Sequence, residues 1–316
     1  FFEASDKNKA VAAIEKLRAE YNQFIAELFA TEQGLADGKN TLDYHFGLLE
    51  SIANDLFTAT EEKIILAQGE LISTTLYHYY LKEIGIHSVL LPALDFMKVD
   101  EDHEPMVDFI TDHITPLLAQ KSNFYITQGY ICRNAYGQID NLRRGGSDYT
   151  ASLIAAAVKA SVCEIWTDID GMHNNDPRIV NKTVAIEQLS FDEAAELAYF
   201  GAKILHPTCI WPAQQENVPV KLLNTMQPDA PGTVITKEAG SEGIKAVAAK
   251  DGIIAIKIKS SRMLLAYGFL RKVFEVFEKY KTSIDMITTS EVAVSVTIDN
   301  DVYLANIVKE LEPFGS

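Results

Sequence analysis

The strongest local signal in the sequence is residues 142–151, which read LRRGGSDYTA. Two adjacent glycines let the backbone turn tightly and approach a ligand closely. The turn opens a predicted helix, whose free N–H groups and positive dipole favour an anion. Arg143 and Arg144 beside the turn strengthen this interpretation. Capping of the helix by Ser147 or Asp148 explains the same pattern without any ligand.

Around this stretch, segments typical of buried strands alternate with segments typical of helices. Strands are predicted at 87–92, 124–131, 163–168 and 218–223, and helices at 5–30, 42–59, 71–84, 149–160 and 190–200. This alternation is typical of an α/β domain with a largely parallel sheet. Such domains usually open with a buried strand, whereas this chain opens with a helix, so we expect further sequence upstream of Phe1.

The C-terminal part of the chain has a different pattern. A strand, a helix, two strands and a helix follow one another at 252–259, 269–280, 283–289, 292–298 and 302–311. This order lacks only the last strand of a ferredoxin-like βαββαβ unit, so we expect the unit to be clipped, or disordered, at its C-terminal end. Charge also changes near Gly243, because 18 basic and 35 acidic residues precede position 244 and ten and nine follow. We therefore predict two domains, 1–240 and 241–316.

Composition excludes several classes of protein. Lys and Arg number 28 and Asp and Glu 44, and the resulting net charge of −16 disfavours nucleic acid as a partner. The chain has three cysteines, an odd number, and no two of them have CxxC spacing. This pattern disfavours disulfides and a structural zinc site. No apolar run is long enough to span a membrane, and no signal peptide opens the chain. We predict a cytoplasmic protein that binds neither membranes nor nucleic acid.

Three further motifs carry polar groups that suit ligand binding. Residues 166–171 read WTDIDG and residues 176–178 read DPR, a strand end and turn where open α/β sheets bind ligands. Residues 200–207 read FGAKILHP, in which Lys203 suits a phosphate as a point charge. Glu70 is suited to a substrate ammonium group. Taken singly, each motif is better explained without a ligand, as a turn, an exposed lysine or a carboxylate at a helix start.

Taken together, the four motifs are specific, and the chain resembles the aspartokinases of the amino acid kinase family. The resemblance extends from about Glu61 to Glu312 and rests on residues 144–149, 166–168, 176–178 and 200–207. The C-terminal part resembles the family's ACT regulatory domain, including GFL at 268–270 and TTSE at 288–291. The resemblance implies an amino acid kinase fold, a largely parallel sheet flanked by helices, followed by a ferredoxin-like ACT domain.

The family transfers phosphate from MgATP to the side-chain carboxylate of L-aspartate, the first step of lysine, threonine and methionine biosynthesis. The resemblance implies that Glu70 faces the α-amino group and that Arg144 pairs with the α-carboxylate, in a pocket lined by Gly145, Gly146 and Ser147. It implies nucleotide contacts from Thr167, Asp168, His173, Arg178, Lys203 and Ile204. Mg²⁺ is expected to be held through ATP oxygens and water. Catalytic roles fall to Lys203, Arg144 and Asp148, the last by ordering polar groups such as the phosphate-site lysine.

In this family the ACT domain binds amino acids at strand–helix loops between two subunits, which implies a homodimer. The matching positions are Met263, Gly268, Phe269, Leu270, Ser283, Ile284, Asp285, Ser290 and Glu291. Two carboxylates near one pocket, Asp285 and Glu291, suit a diamino acid better than threonine, so feedback inhibition by L-lysine is expected. From the residues alone, a solvated strand edge is the favoured explanation of both carboxylates.

The sequence departs from the family pattern at several points. The opening strand with its Lys-Phe-Gly-Gly motif and the Ser/Thr loop after the second strand are not in this sequence, which removes a phosphate contact and an aspartate contact. His173 stands where several relatives have tyrosine, and Arg143 replaces a glycine. Two alternatives therefore stay open: a kinase of glutamate or acetylglutamate, and a non-catalytic regulator that binds amino acids.

Overall fold

The computed structural model describes residues 6–55, 57–143, 145–200, 205–238, 243–260 and 267–315. These residues form two units, divided between Ala248 and Ala249. The first unit contains alternating helices and strands, and the second has the order β-α-β-β-α. The α/β fold class predicted from the sequence is confirmed.

Three long helices open the first unit: α1 (Lys7–Leu28), α2 (Glu32–Asn54) and α3 (Ala59–Glu83). Each begins after a polar side chain that accepts a hydrogen bond from a backbone N–H of the first turn, and these caps are Asp6, Thr31 and Thr58. The apolar faces of the three helices share one core cluster, in which Phe46 and Ile25 are fully buried.

Helix α2 begins well before the predicted start at residue 42 and ends before residue 59. Its first turns contain Gly34 and Gly38, which lower helix propensity and interrupt the apolar pattern, so the prediction missed them. The structure explains Gly38, because a Cβ at this position would lie 2.9 Å from the ring of Phe29. The missing side chain therefore lets α2 pack closely against the end of α1.

The strands of the first unit form two sheets and a hairpin. Strand β1 (Ser88–Leu91) pairs in parallel with β2 (Phe124–Thr127). The second sheet has the order β5-β7-β8-β6, formed by β5 (Cys163–Thr167), β6 (Gln188–Ser190), β7 (Val220–Asn224) and β8 (Thr233–Thr236). Strand β5 is parallel to β7 and β6 to β8. Strands β7 and β8 are antiparallel, because their connection is too short for the crossover that parallel strands require.

The sequence did not predict the hairpin of β3 (Ile131–Arg133) and β4 (Ile139–Asn141), because each strand has only three residues. Helices α4 (Ala93–Phe96) and α5 (Val107–Leu117) were also missed. After the hairpin comes helix α6 (Gly146–Ala157), which contributes Leu153 to one core cluster and Ala155 to another. Helix α6 therefore lies between the two main cores of the first unit.

The remaining elements of the first unit are α7 (Phe191–Phe200), a 3₁₀ turn at Pro207–Ile210 and α8 (Trp211–Gln215). The three cysteines are unpaired and buried. None of the helices in the described part of the chain is both long and apolar enough to cross a membrane.

The second unit contains β9 (Ile254–Lys259), α9 (Phe269–Lys279), β10 (Ile287–Thr289), β11 (Ala293–Ile298) and α10 (Leu304–Leu311). Its sheet has the antiparallel order β10-β11-β9. Helix α9 is strongly amphipathic, and its buried residues Val273 and Phe277 pack with those of β11 and α10 in a single core. Strand β10 is shorter than the predicted strand at 283–289.

Helix α2 offers a test of this packing with an internal control. We expect Gly38→Ala to lower the free energy of unfolding by about 1–3 kcal/mol, because the new methyl group overlaps Phe29. In the same helix, no atom lies within 4 Å of the methyl group that Gly47→Ala would add. This substitution should therefore raise the free energy of unfolding by about 0.5–1 kcal/mol. Urea denaturation of both variants measures the difference, and equal changes would contradict the packing described.

Candidate active site

The glycine turn, residues 145–147, is packed on both sides by other parts of the chain. Gly145 precedes α6 with a left-handed φ of 71°. A Cβ on Gly145 would lie 2.7 Å from Cys209 Sγ, and one on Gly146 would lie 2.7 Å from the ring of Tyr130. The turn therefore requires glycine at both positions, for backbone conformation at the first and for space at both.

The Cys209 thiol fixes the glycine turn from one side. Its Sγ lies 3.2 Å from the carbonyl oxygen of Gly145, to which it donates a hydrogen bond. Burial, reinforced by the negative charge of Asp148, raises the pKa of this thiol to about 12, so it remains protonated and a donor at neutral pH. The 3₁₀ turn that carries Cys209 follows the predicted phosphate-binding motif closely. Lys203 and Ile204 of that motif, and Arg144 of the turn, lie outside the described residues.

Glu70 lies on α3 and is linked by hydrogen bonds to the segment that follows β2. Its backbone carbonyl accepts a hydrogen bond of 2.7 Å from the Thr74 hydroxyl, which in turn accepts one of 2.8 Å from the Gln128 side-chain amide. The Glu70 side chain is partly buried, and this burial raises the pKa of its carboxyl group. A partly desolvated carboxylate of this kind binds an ammonium group more strongly than an exposed one does.

The segment after β2 completes the link between Glu70 and the glycine turn. Gly129 faces Ser147, whose Oγ would lie 2.9 Å from a Cβ on the glycine. The backbone N–H of Tyr130 donates to the Thr150 hydroxyl at 3.1 Å. The pKa of Tyr130 is raised by burial first and then by nearby acidic groups that include Glu70. The structure therefore links the helix that carries Glu70 to the turn of Gly145, Gly146 and Ser147 through the segment at the carboxyl end of β2.

Sequence reasoning missed three polar residues at this strand end. The Thr127 hydroxyl oxygen is buried and has no hydrogen-bond partner among the described residues. Gln128 is buried and accepts a hydrogen bond of 2.8 Å from the backbone N–H of Ala93. Tyr130 has a left-handed φ of 69°, which is uncommon outside glycine. The sequence TQGY at the end of a predicted strand, directly before a glycine turn, is the signal that could have found them.

Two of the predicted nucleotide residues, Thr167 and Asp168, lie at the carboxyl end of β5, beside the end of the parallel strand β7. Thr167 ends β5, and its carbonyl accepts a hydrogen bond of 2.8 Å from the backbone N–H of Thr225, just beyond β7. Its hydroxyl donates to Asp168 Oδ1 at 3.0 Å, and the Asp168 side chain is exposed. The Asp148 side chain makes no hydrogen bond to another described residue, and burial raises the pKa of its carboxyl group.

The other two described residues of the predicted nucleotide site, His173 and Arg178, form hydrogen bonds within the loop that joins β5 to β6. Both ring nitrogens of His173 are engaged, with Asp170 and Thr183 each at 2.7 Å. Hydrogen bonding to His173 lowers the pKa of Asp170. Arg178 binds both carboxylate oxygens of Asp176, two residues before it. These contacts order the loop, and they leave the guanidinium of Arg178 on an exposed surface.

The predicted effector residues surround the strands of the second unit. Gly268 precedes α9 with a left-handed φ of 76°, and Phe269 and Leu270 pack into the core. Ser283, Ile284 and Asp285 precede β10, whereas Ser290 and Glu291 follow it, and Met263 lies outside the described residues.

Asp285 and Glu291 lie at opposite ends of β10. The backbone N–H of Asp285 bonds to Thr297, at one end of β11, and that of Ser290 bonds to Ala293, at the other. The three residues of the strand between them span about 10 Å. The two predicted effector carboxylates therefore lie beyond opposite ends of the strand within a single chain.

The close packing at Gly145 predicts a difference between two glycines that share a left-handed conformation. Gly137→Ala, in the β3–β4 turn, has open space around it and should lose about 1–2 kcal/mol of unfolding free energy through backbone strain alone. Gly145→Ala adds an overlap with Cys209 and should lose about 1–3 kcal/mol more. Chemical denaturation measures both values, and an equal loss at the two positions would contradict the tight turn.

Comparison with known proteins gives a consistent result. A model of the amino acid kinase family matches residues 8–224. Lysine-sensitive aspartokinase 3 of Escherichia coli (strain K12) is 35% identical over 241 residues, which cover 74% of this chain and 54% of the relative. A crystal structure of E. coli aspartokinase III in complex with aspartate and ADP superposes with a TM-score of 0.78 at 29% identity and covers 96% of this chain and 70% of that one. The crystal structure in complex with lysine and aspartate gives a TM-score of 0.64 at 31% identity, with 88% and 65% covered.

The chain spans about half the length of the curated relatives it matches. The predicted resemblance to aspartokinases and the predicted amino acid kinase fold are both confirmed by these matches. Because the family model covers more than two thirds of its residues, this chain belongs to the amino acid kinase family.

Proposed function

We propose that the protein transfers the γ-phosphoryl group of ATP to the side-chain carboxylate of L-aspartate and so forms 4-phospho-L-aspartate. The observation that supports this proposal is the link, through Thr74 and Gln128, between the helix that carries Glu70 and the end of β2 beside the glycine turn. An anion-binding turn opposite a partly buried carboxylate suits an amino acid, which carries both charges on one carbon. The aspartate and ADP bound in the E. coli neighbour support the same function.

In this proposal the pocket recognises the amino acid by its two charged groups, the α-ammonium and the α-carboxylate. The Glu70 carboxylate binds the α-ammonium group, and the Arg144 guanidinium binds the α-carboxylate through two parallel hydrogen bonds. Backbone N–H groups at the start of α6, with the Ser147 hydroxyl, add donors for carboxylate oxygens. The unpartnered hydroxyl of Thr127 is available as a further polar contact at the same strand end.

Phosphoryl transfer then requires positioning and charge neutralisation. A bond forms between an aspartate side-chain oxygen and the γ-phosphorus, the bond from that phosphorus to the β–γ bridging oxygen breaks, and ADP leaves. Lys203 binds the phosphates in this proposal, with Thr167, Asp168 and the loop ordered by His173 and Arg178 on the nucleotide side. Mg²⁺, when bound through phosphate oxygens, neutralises charge on the transferring group. Asp148, a partly buried residue in the first turn of α6, orders polar groups such as Lys203 in this proposal.

The raised pKa of Glu70 gives this proposal a pH signature. Only the charged carboxylate pairs with the α-ammonium group, so the KM for aspartate should rise as pH falls through a value above the ordinary range for glutamate. Glu70→Gln should raise the KM at neutral pH about tenfold or more and remove this part of the pH dependence.

The measurement is aspartate-dependent ADP release by the natural full-length protein between pH 5 and 8. Glu15→Gln, an exposed position on α1, serves as the control and should behave like the wild type. Glutamate and acetylglutamate are tested in parallel. If either of these compounds supports ADP release and aspartate does not, that compound is the substrate and the proposal for aspartate is wrong.

The same proposal includes feedback inhibition by L-lysine through the second unit, taken as an ACT domain. A lysine-sensitive relative and its structure with bound lysine support this effector. In this proposal the site lies between the two subunits of a homodimer, so that Asp285 and Glu291, beyond opposite ends of β10, are contributed by different copies of the chain. A cytoplasmic location remains a prediction from the sequence.

Substitution of Asp285 tests this regulatory role. Burial raises the pKa of Asp285, so its charge is costly and is stabilised by a cationic ligand. We expect Asp285→Asn to raise the lysine concentration for half-inhibition about tenfold while kcat stays within about twofold. Glu275→Gln, an exposed acid on α9, is the matched control and should leave inhibition unchanged. Loss of turnover in Asp285→Asn would contradict the division into catalytic and regulatory units.

A further inference from the structure

A partly buried ion pair lies beside the proposed aspartate pocket, outside the residues assigned to substrate. Lys63 Nζ lies 2.6 Å from Asp140 Oδ2. The Asp140 side chain is only 4% exposed, and that of Lys63 is 32% exposed. Removing such charges from water is costly, so the pair is weak evidence for stability by itself. Its position in the fold suggests a different role.

Lys63 shares a helix with Glu70. Both residues lie on α3, seven positions apart, and a spacing of seven places two side chains on the same face of a helix. The bond from Lys63 to Asp140 therefore ties the face of α3 that carries Glu70 to strand β4. Helix α3 cannot shift or rotate against the hairpin without breaking this contact.

A continuous chain of hydrogen bonds connects Asp140 to the glycine turn. Its Oδ1 accepts from the backbone N–H of Asn141 at 2.8 Å, and Asn141 Oδ1 accepts from that of Arg143 at 3.0 Å. The carbonyl of Arg143 then accepts from the N–H of Gly146 at 3.1 Å. Arg143 has a left-handed φ of 61°, a conformation that these bonds hold in place.

We infer that Lys63 and Asp140 are a positioning pair, which sets the spacing between Glu70 and the turn that begins α6 and thereby the affinity for aspartate. This inference rests on the proposed function. The α-ammonium and α-carboxylate groups are attached to one carbon, so the residues that bind them must keep a fixed separation. Small displacements of binding groups are costly in catalysis for the same reason.

No second cation takes the place of Lys63 among the described residues around Asp140. His103 is near, but its Nδ1 lies 3.8 Å from Asp140 Oδ2, beyond hydrogen-bonding distance. The pair is therefore testable by single substitutions.

Lys63→Met and Asp140→Asn should each raise the KM for aspartate about tenfold, with the KM for ATP within about twofold of the wild type. The double variant should be no worse than the worse single variant, because either substitution already breaks the pair. Lys63→Arg keeps the charge and should restore most of the affinity for aspartate.

Arg18→Met is the matched control. It removes a cation that joins α1 to α2 by a bond of 2.8 Å to Glu50, on helices that carry no proposed substrate group. It should change neither KM, and urea denaturation of every variant shows whether lost stability explains a kinetic change. Two results would overturn the inference: an unchanged aspartate KM in Lys63→Met, or a rise in both KM values in proportion to lost stability. A wild-type protein without aspartate-dependent activity would overturn the proposed function, and this inference with it.

Discussion

The first turn of α6 cannot move, because other parts of the chain pack against both sides of it. Cys209 closes one side and Tyr130 the other, at distances that leave no room for a Cβ. The helix behind the turn lies between the two main cores of the first unit. Cores of native density do not deform gradually, so the turn is held in one geometry. Three elements contact this turn, and the contacts fix their positions: the end of β2, the 3₁₀ turn and strand β4.

A fixed turn suits a reaction that depends on placement. Phosphoryl transfer needs two charged substrates aligned in a site whose donors are already oriented, and the protein forms no covalent bond to either. Backbone N–H groups at a rigid helix start supply such donors without side-chain reorganisation. Glu70 lies on a different element, so its position relative to the turn depends on contacts between elements. Those contacts run through Gln128 and through the ion pair of Lys63.

The sequence predicted the features that depend on local pattern and on motifs. The α/β class, most helices and the resemblance to aspartokinases follow from periodicity and from four short runs. The early start of α2 was missed because Gly38 reads as a helix breaker until Phe29, which packs against it, is known. The pairing of Lys63 with Asp140 joins residues far apart in the chain and has no local signal. The separation of the effector carboxylates follows from the strand register, which composition does not reveal.

The central claim is that phosphate is transferred to the side-chain carboxylate of aspartate. An acyl phosphate reacts with hydroxylamine to give a hydroxamate and inorganic phosphate, so the product can be trapped and its position identified by mass spectrometry. Incubation of the natural full-length protein with MgATP, L-aspartate and hydroxylamine should yield the β-hydroxamate in step with ADP release. ADP release without a hydroxamate, or a hydroxamate at the α-carboxyl group, would contradict the claim.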